Sequence, residues 1–81
     1  MTCFSRELHP VYGAVPRDGD YVEAGEILGL SPDSRDVITA PVSGWLRLVT
    51  SHSPDRRLTA QIWQDRRARD EADAAEALAQ P

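Results

Sequence analysis

Up to about residue 63 the apolar positions come in short runs, each closed by glycine, proline, aspartate or serine. That spacing predicts short strands joined by tight turns rather than helices. Val11 to Pro16 reads as a strand around Tyr12 and Val15, with Gly13 inside it as a bulge or a point of close backbone approach. Arg17-Asp18-Gly19-Asp20 is a turn, Tyr21-Val22 a short strand, and Glu23-Ala24-Gly25 a second turn. Glu26-Ile27-Leu28-Gly29-Leu30 reads as a buried strand and Arg35 to Ala40 as its return. The tip of this hairpin falls near Pro32–Ser34, where proline presets φ and Asp33 and Ser34 can bond to backbone groups. Pro41-Val42-Ser43-Gly44 turns the chain again. Trp45 to Val49 is a strand with Trp45, Arg47 and Val49 on one face and Leu46 and Leu48 on the other. After a loop at Ser51–Asp55, Arg57 to Trp63 alternates Leu58, Ala60 and Ile62 against Thr59, Gln61 and Trp63.

The pattern changes at Gln64. Residues 64–80 are rich in Ala, Arg, Asp and Glu, and propensity favours a helix. Its charges run the wrong way for the helix dipole, arginines first and acids later. Arg66–Asp70 and Arg67–Glu71 can pair at i, i+4. The stripe available for burial is Ala68, Ala72, Ala75 and Ala79 with Leu78 nearby, and alanines bury little area. The expected architecture is all-β: a small flattened barrel or sandwich over residues 1–63, with a marginal C-terminal helix or tail over 64–81.

Composition narrows the function. Eighty-one residues make one small domain with a thin core. The net charge of −4 argues against nucleic acid, because the acids around Arg56, Arg57, Arg66, Arg67 and Arg69 dilute the one basic stretch. No apolar run is long enough to span a membrane. The N-terminal stretch carries Arg6, Glu7 and His9 and no hydrophobic signal core, so a cytoplasmic location is expected. The single cysteine, Cys3, forms no intrachain disulfide and is expected on a weakly paired terminus. All nine basic residues are arginine, and the chain contains no lysine.

Gly19-Asp20-x-Val22-x-x-Gly25-x-Ile27-Leu28-Gly29, followed after a hairpin by Ile38-Thr39-Ala40-Pro41-Val42-Ser43-Gly44, resembles the biotinyl/lipoyl-attachment domain family. The resemblance covers about residues 11–50. It implies a barrel-sandwich hybrid in which two similar halves pack about a quasi-twofold axis. Gly19 and Gly25 would serve turns, Gly44 a sharp turn after the hairpin, and Val22, Ile27, Leu28 and Ile38 would fill the interior. The family carries its modified lysine at the hairpin tip. Here that tip is Ser31-Pro32-Asp33-Ser34-Arg35, so Pro32, Asp33, Ser34 and Arg35 stand where the amine would be. The second glycine-punctuated segment expected after Val49 is replaced by Ser51-His52-Ser53-Pro54-Asp55-Arg56-Arg57-Leu58, a degenerate match.

Other chemistry is sparse. His9 and His52 share no metal-ligand spacing with Cys3 or with acids. Ser51, His52 and Asp55 crowd one short loop and lack a nucleophile elbow. Asp18, Asp20 and Glu23 do not follow an EF-hand spacing and read as a solvated acidic turn. Of the two tryptophans, Trp63 is expected to be the more exposed. The sequence therefore predicts no enzyme and no cofactor, but a carrier-like protein-interaction module that is neither biotinylated nor lipoylated. Its partner is another protein or a second copy, contacted through Trp63, Arg66 and Arg67. Two alternatives stand beside it: an accessory or decoy subunit of a biotin- or lipoate-dependent complex, and a small-molecule or metal-binding protein using the barrel ends. The intact mass of protein purified from its native host should equal that of the bare polypeptide; an added prosthetic mass would contradict this reading.

Overall fold

A computed structural model describes residues 3–51 and 55–79, with the side chains of Ala77 and Ala79 excepted. His52, Ser53 and Pro54, and so most of the expected loop and the histidine of its Ser51-His52-Asp55 grouping, lie outside the described residues. The strands are β1 (Cys3–Leu8), β2 (Tyr21–Val22), β3 (Ile27–Leu30), β4 (Val37–Thr39), β5 (Gly44–Ser51) and β6 (Arg57–Trp63), followed by helix α1 (Arg66–Ala79). Four strands form an antiparallel sheet in the order β1-β6-β5-β2, and β3 and β4 form a separate hairpin. The chain is thus a mostly-strand fold, a curled half-barrel sheet with one C-terminal helix. Among the described residues no helix is long and apolar enough to cross a membrane.

The core lies between the sheet and the hairpin. Leu8 of β1, Val22 of β2, Leu46 of β5 and Leu58, Ala60 and Ile62 of β6 meet Leu28 of β3 and Ala40 beyond β4. These sheet residues share one face because antiparallel partners and alternate residues point the same way: Leu46 stands opposite Ile62, and Leu8 opposite Leu58. The alternation expected of β6 is therefore what buries it. Gly19 and Gly25 adopt φ of +92° and +90°, the left-handed region in which a side chain would be strained, so both expected turns form. The Arg17–Asp20 turn also lies along β5, where the Gly19 N–H donates to Leu46 O (2.9 Å) and the Leu46 N–H to Asp20 O (2.8 Å).

Five expectations are corrected. Val11–Pro16 is a turn and loop rather than a strand. Only Ala14 bridges to Gly29, and Val11, Tyr12 and Val15 face solvent because neither sheet offers them a covering surface. Cys3 is not on a weakly paired terminus, since it opens β1 opposite Trp63 and is half-buried. Ile27 does not fill the interior: a register shift between Ile27 and Gly29 turns Leu28 inward and leaves Ile27 about half exposed. Gly44 is not a turn residue but the first residue of β5, where a Cβ would stand 2.4 Å from Trp63 O and 3.0 Å from Ile62 Cγ2. The alanine stripe, finally, does not dock the helix. Ala68 is buried, but Ala75 is exposed and Leu78 is 87% exposed.

Because β5 and β6 approach too closely at Gly44 to admit a methyl group, Gly44→Ala should destabilise the fold by about 1–3 kcal/mol. Urea unfolding followed by tryptophan fluorescence measures this, and Trp45 and Trp63 report directly from the affected pair.

Candidate interaction surface

The sheet face opposite the core carries two features. The first is a row of side chains across all four strands: Tyr21 is paired with Trp45, Trp45 with Trp63, and Trp63 with Cys3. Tyr21 and Trp45 meet edge to face, their ring centroids 5.0 Å apart. The Trp63 indole N–H donates to Gln61 Oε1 (3.2 Å), which fixes the ring's orientation on its own strand. Both tryptophans are half-buried, so Trp63 is not set apart from Trp45 by exposure class, and Tyr21 is 52% exposed. The row thus combines rigid aromatic area with access to solvent.

The second feature is the seat of α1, built on two buried guanidiniums. Asp65 caps the helix by accepting the Arg67 N–H (2.9 Å). One turn on, Arg69 points into the body of the protein and is only 8% exposed. Its Nε donates to Leu46 O (3.1 Å) and its Nη2 to Asp18 (2.7 Å), while Nη1 donates to Asp70 (3.1 Å). From β5, Arg47 is equally buried and reaches the later turns of α1, pairing with Glu76 and, through Nε at 3.5 Å, with Asp73. Arg47 Nη1 also donates to Gln61 Oε1 (3.1 Å), so the same amide serves the helix seat and Trp63.

Buried charge demands such partners. Burial opposes the charge on Arg69, but hydrogen bonds to Asp18 and Asp70 outweigh it and hold the guanidinium above its ordinary value. Burial likewise works against the Asp18 carboxylate. The Leu48 N–H (2.8 Å) and Arg69 overcome that, and Asp18 sits below its ordinary value. Asp18 thus anchors α1 while it stays, with Asp20 and Glu23, in an exposed acidic turn. Asp20 takes the Arg17 N–H (2.9 Å), as a turn carboxylate does.

The remaining candidates fall elsewhere. Arg66 and Arg67 open α1. Both are exposed on the outer side of α1, where Arg67 pairs with Glu71 at 3.3 Å and Asp70 is taken by Arg69. They line an open depression of about 610 Å³ with Asp65, Asp70, Glu71 and Ala74, whose walls all belong to α1 and the residue before it. At the hairpin tip the chain closes on itself. The Ser31 hydroxyl donates to Asp33 Oδ1 (2.6 Å), which also accepts the Arg35 N–H (3.1 Å), and Ser34 N–H donates to Ser31 O (2.8 Å) with Ser34 at φ 60°. The Ser31 hydroxyl first, and then the Arg35 N–H, hold Asp33 below its ordinary value. Pro32, Asp33, Ser34 and Arg35 are all exposed. Among the described residues no group of three or more His, Cys, Asp or Glu is placed to hold a metal ion.

Sequence reasoning missed Arg47, Arg69, Asp18, Asp73 and Glu76. Arg47 between Leu46 and Leu48 was a visible signal, since it is the long polar residue on the strand face that a helix must cover.

The Asp18 carboxyl is depressed in the folded chain, so its stabilising contribution is present above its ordinary value of 3.8 and is lost as pH falls through the lower folded value. Asp18→Asn should cost about 1 kcal/mol at neutral pH, a modest figure because the carboxylate is half exposed. The gap between variant and wild type should shrink below pH 3.8. Urea denaturation at neutral and strongly acid pH, read by circular dichroism, checks both. No protein-family model, no curated protein and no solved structure matches this chain.

Proposed function

We propose that this chain is a non-enzymatic, carrier-like protein-interaction module of barrel-sandwich type, whose hairpin holds no prosthetic group and whose partner docks on the Tyr21–Trp45–Trp63 row. The row is the observation that carries the reading. Three of the chain's five aromatic residues lie side by side in strand register and reach solvent, instead of filling a core that is short of large side chains. Aromatic residues of this kind dominate protein interfaces, because they contribute large area at little cost in side-chain freedom. The shared Gln61 amide holds both Trp63 and Arg47, so the row is preorganised rather than induced.

The hairpin supports the other half of the proposal. It is a separate two-stranded unit that packs over the sheet and turns its tip residues to solvent. Its tip presents hydroxyls, a carboxylate and a guanidinium but no amine to acylate. Partner binding from native extract should fall at least tenfold in Trp63→Ala and also in Tyr21→Ala, with circular dichroism unchanged for the latter exposed position. Equal binding of the same partners by wild type and both variants would sink the proposal.

A further inference from the structure

Among the described residues the outer side of β1 is a sheet edge that no strand covers. β1 is the outermost strand of its sheet and pairs with β6 in unbroken register from Cys3 to Leu8. Every second residue of such a strand turns its N–H and C=O away from its neighbour. Among the described residues no strand pairs with that outer side. The chain leaves the edge at His9, whose N–H donates to Leu30 O (2.9 Å), so the open stretch is Cys3 to Glu7. Its centre, Ser5, Arg6 and Glu7, is exposed.

Natural proteins protect such an edge with a proline, a bulge, charged side chains or a very short strand. β1 runs six residues without proline and without a register shift, and of these devices it carries only charge, at Arg6 and Glu7. What covers it is the Arg6 guanidinium, which folds back to donate to Ser5 O (2.8 Å) in an exposed contact that a main-chain N–H can replace.

We propose that this edge pairs antiparallel with β1 of a second copy, Ser5 opposite Ser5 on a twofold axis, joining two four-stranded sheets into one. The side chains select that register. Residues directly opposite must share a face, so the axis falls on a residue and slips come in steps of two. With Ser5 on the axis, Phe4 faces Arg6 of the other copy and Cys3 faces its Glu7. The guanidinium then lies beside a half-buried aromatic ring, a favourable contact, and no like charges stand opposite each other. Moving the axis to Arg6 sets Arg6 against Arg6, and moving it to Phe4 pairs only Cys3, Phe4 and Ser5 among the described residues. The strand is therefore complementary to itself, as an isologous contact requires. This pairing is independent of what binds the aromatic row.

Sedimentation velocity of the full chain over a concentration series tests it. Wild type should show a reversible dimer. Ser5→Arg places two like charges on the axis and should weaken that dimer at least tenfold, with an unchanged circular dichroism spectrum. Independently, the double variant Cys3→Ser, Ser5→Cys should form a covalent dimer on mild oxidation, because residues across such an axis lie within disulfide reach. The double variant Cys3→Ser, Thr39→Cys, with its thiol on exposed β4, should not. A chain that stays monomeric at every concentration overturns the proposal. So does a dimer that Ser5→Arg leaves intact, or one broken by Trp63→Ala and not by Ser5→Arg. In the last case the aromatic row, not the edge, holds the copies together.

Discussion

The β5–β6 ladder is the constraint on which the rest of this small protein rests. Seven consecutive pairs, from Trp45–Trp63 to Ser51–Arg57, fix which residues face the core and which face away. On one side the ladder sets Leu46 against Ile62 and Leu48 against Ala60, and the hairpin β3–β4 closes over them. On the other it sets Trp45 against Trp63 and Arg47 against Gln61, which gives both the aromatic row and the seat of the helix. A slip of one residue would exchange the two faces. Gly44 guards the end of the ladder, because only a residue without a side chain fits against the Trp63 carbonyl.

The core is thin, and the protein compensates with polar contacts in unusual places. A chain of this size buries a modest share of its surface, and α1 adds to it little more than Ala68. The helix is held instead by two buried arginines, one reaching from the helix to the body and one from the body to the helix. This reciprocal arrangement accounts for the unfavourable charge order along α1. Arg69 near its start is needed to meet Asp18 and Leu46, and Asp73 and Glu76 near its end are needed to meet Arg47. Such pairs are directional and their guanidiniums are desolvated, so they fix where the helix lies more sharply than an alanine stripe would.

The same economy shapes the exposed surfaces. Val11, Tyr12, Val15, Ile27 and Val37 remain exposed because the hairpin layer covers one side of the sheet and is itself uncovered. The row of Tyr21, Trp45 and Trp63 differs from these scattered residues in being continuous, in register and anchored by a hydrogen bond. Scattered apolar residues are ordinary on a protein surface, whereas an ordered aromatic strip is the feature on which the proposed docking rests.

The local chemistry of the chain was enough to place β2, the hairpin β3–β4 with its tip, β5, β6 and α1. Asp-Gly and Ser-Pro-Asp-Ser turns, the alternation in Arg57–Trp63 and the helix-forming tail act over a few residues and owe little to distant contacts. The missing lysine was a matter of composition alone, whereas the half-burial that Trp45 and Trp63 share was not foreseen, Trp63 having been expected to be the more exposed. Four features were settled only by the tertiary structure. Cys3–Leu8 became a strand because β6 offered it an edge, and Val11–Pro16 failed to become one because β3 took only Ala14. Gly44 proved to be a point of close approach because two strands distant in sequence converge there. The docking of α1 through Arg47 and Arg69 depends on carboxylates up to 51 positions away in the chain. Residue spacing can announce a turn or a face, but it carries no information about which charge will be desolvated beside which partner.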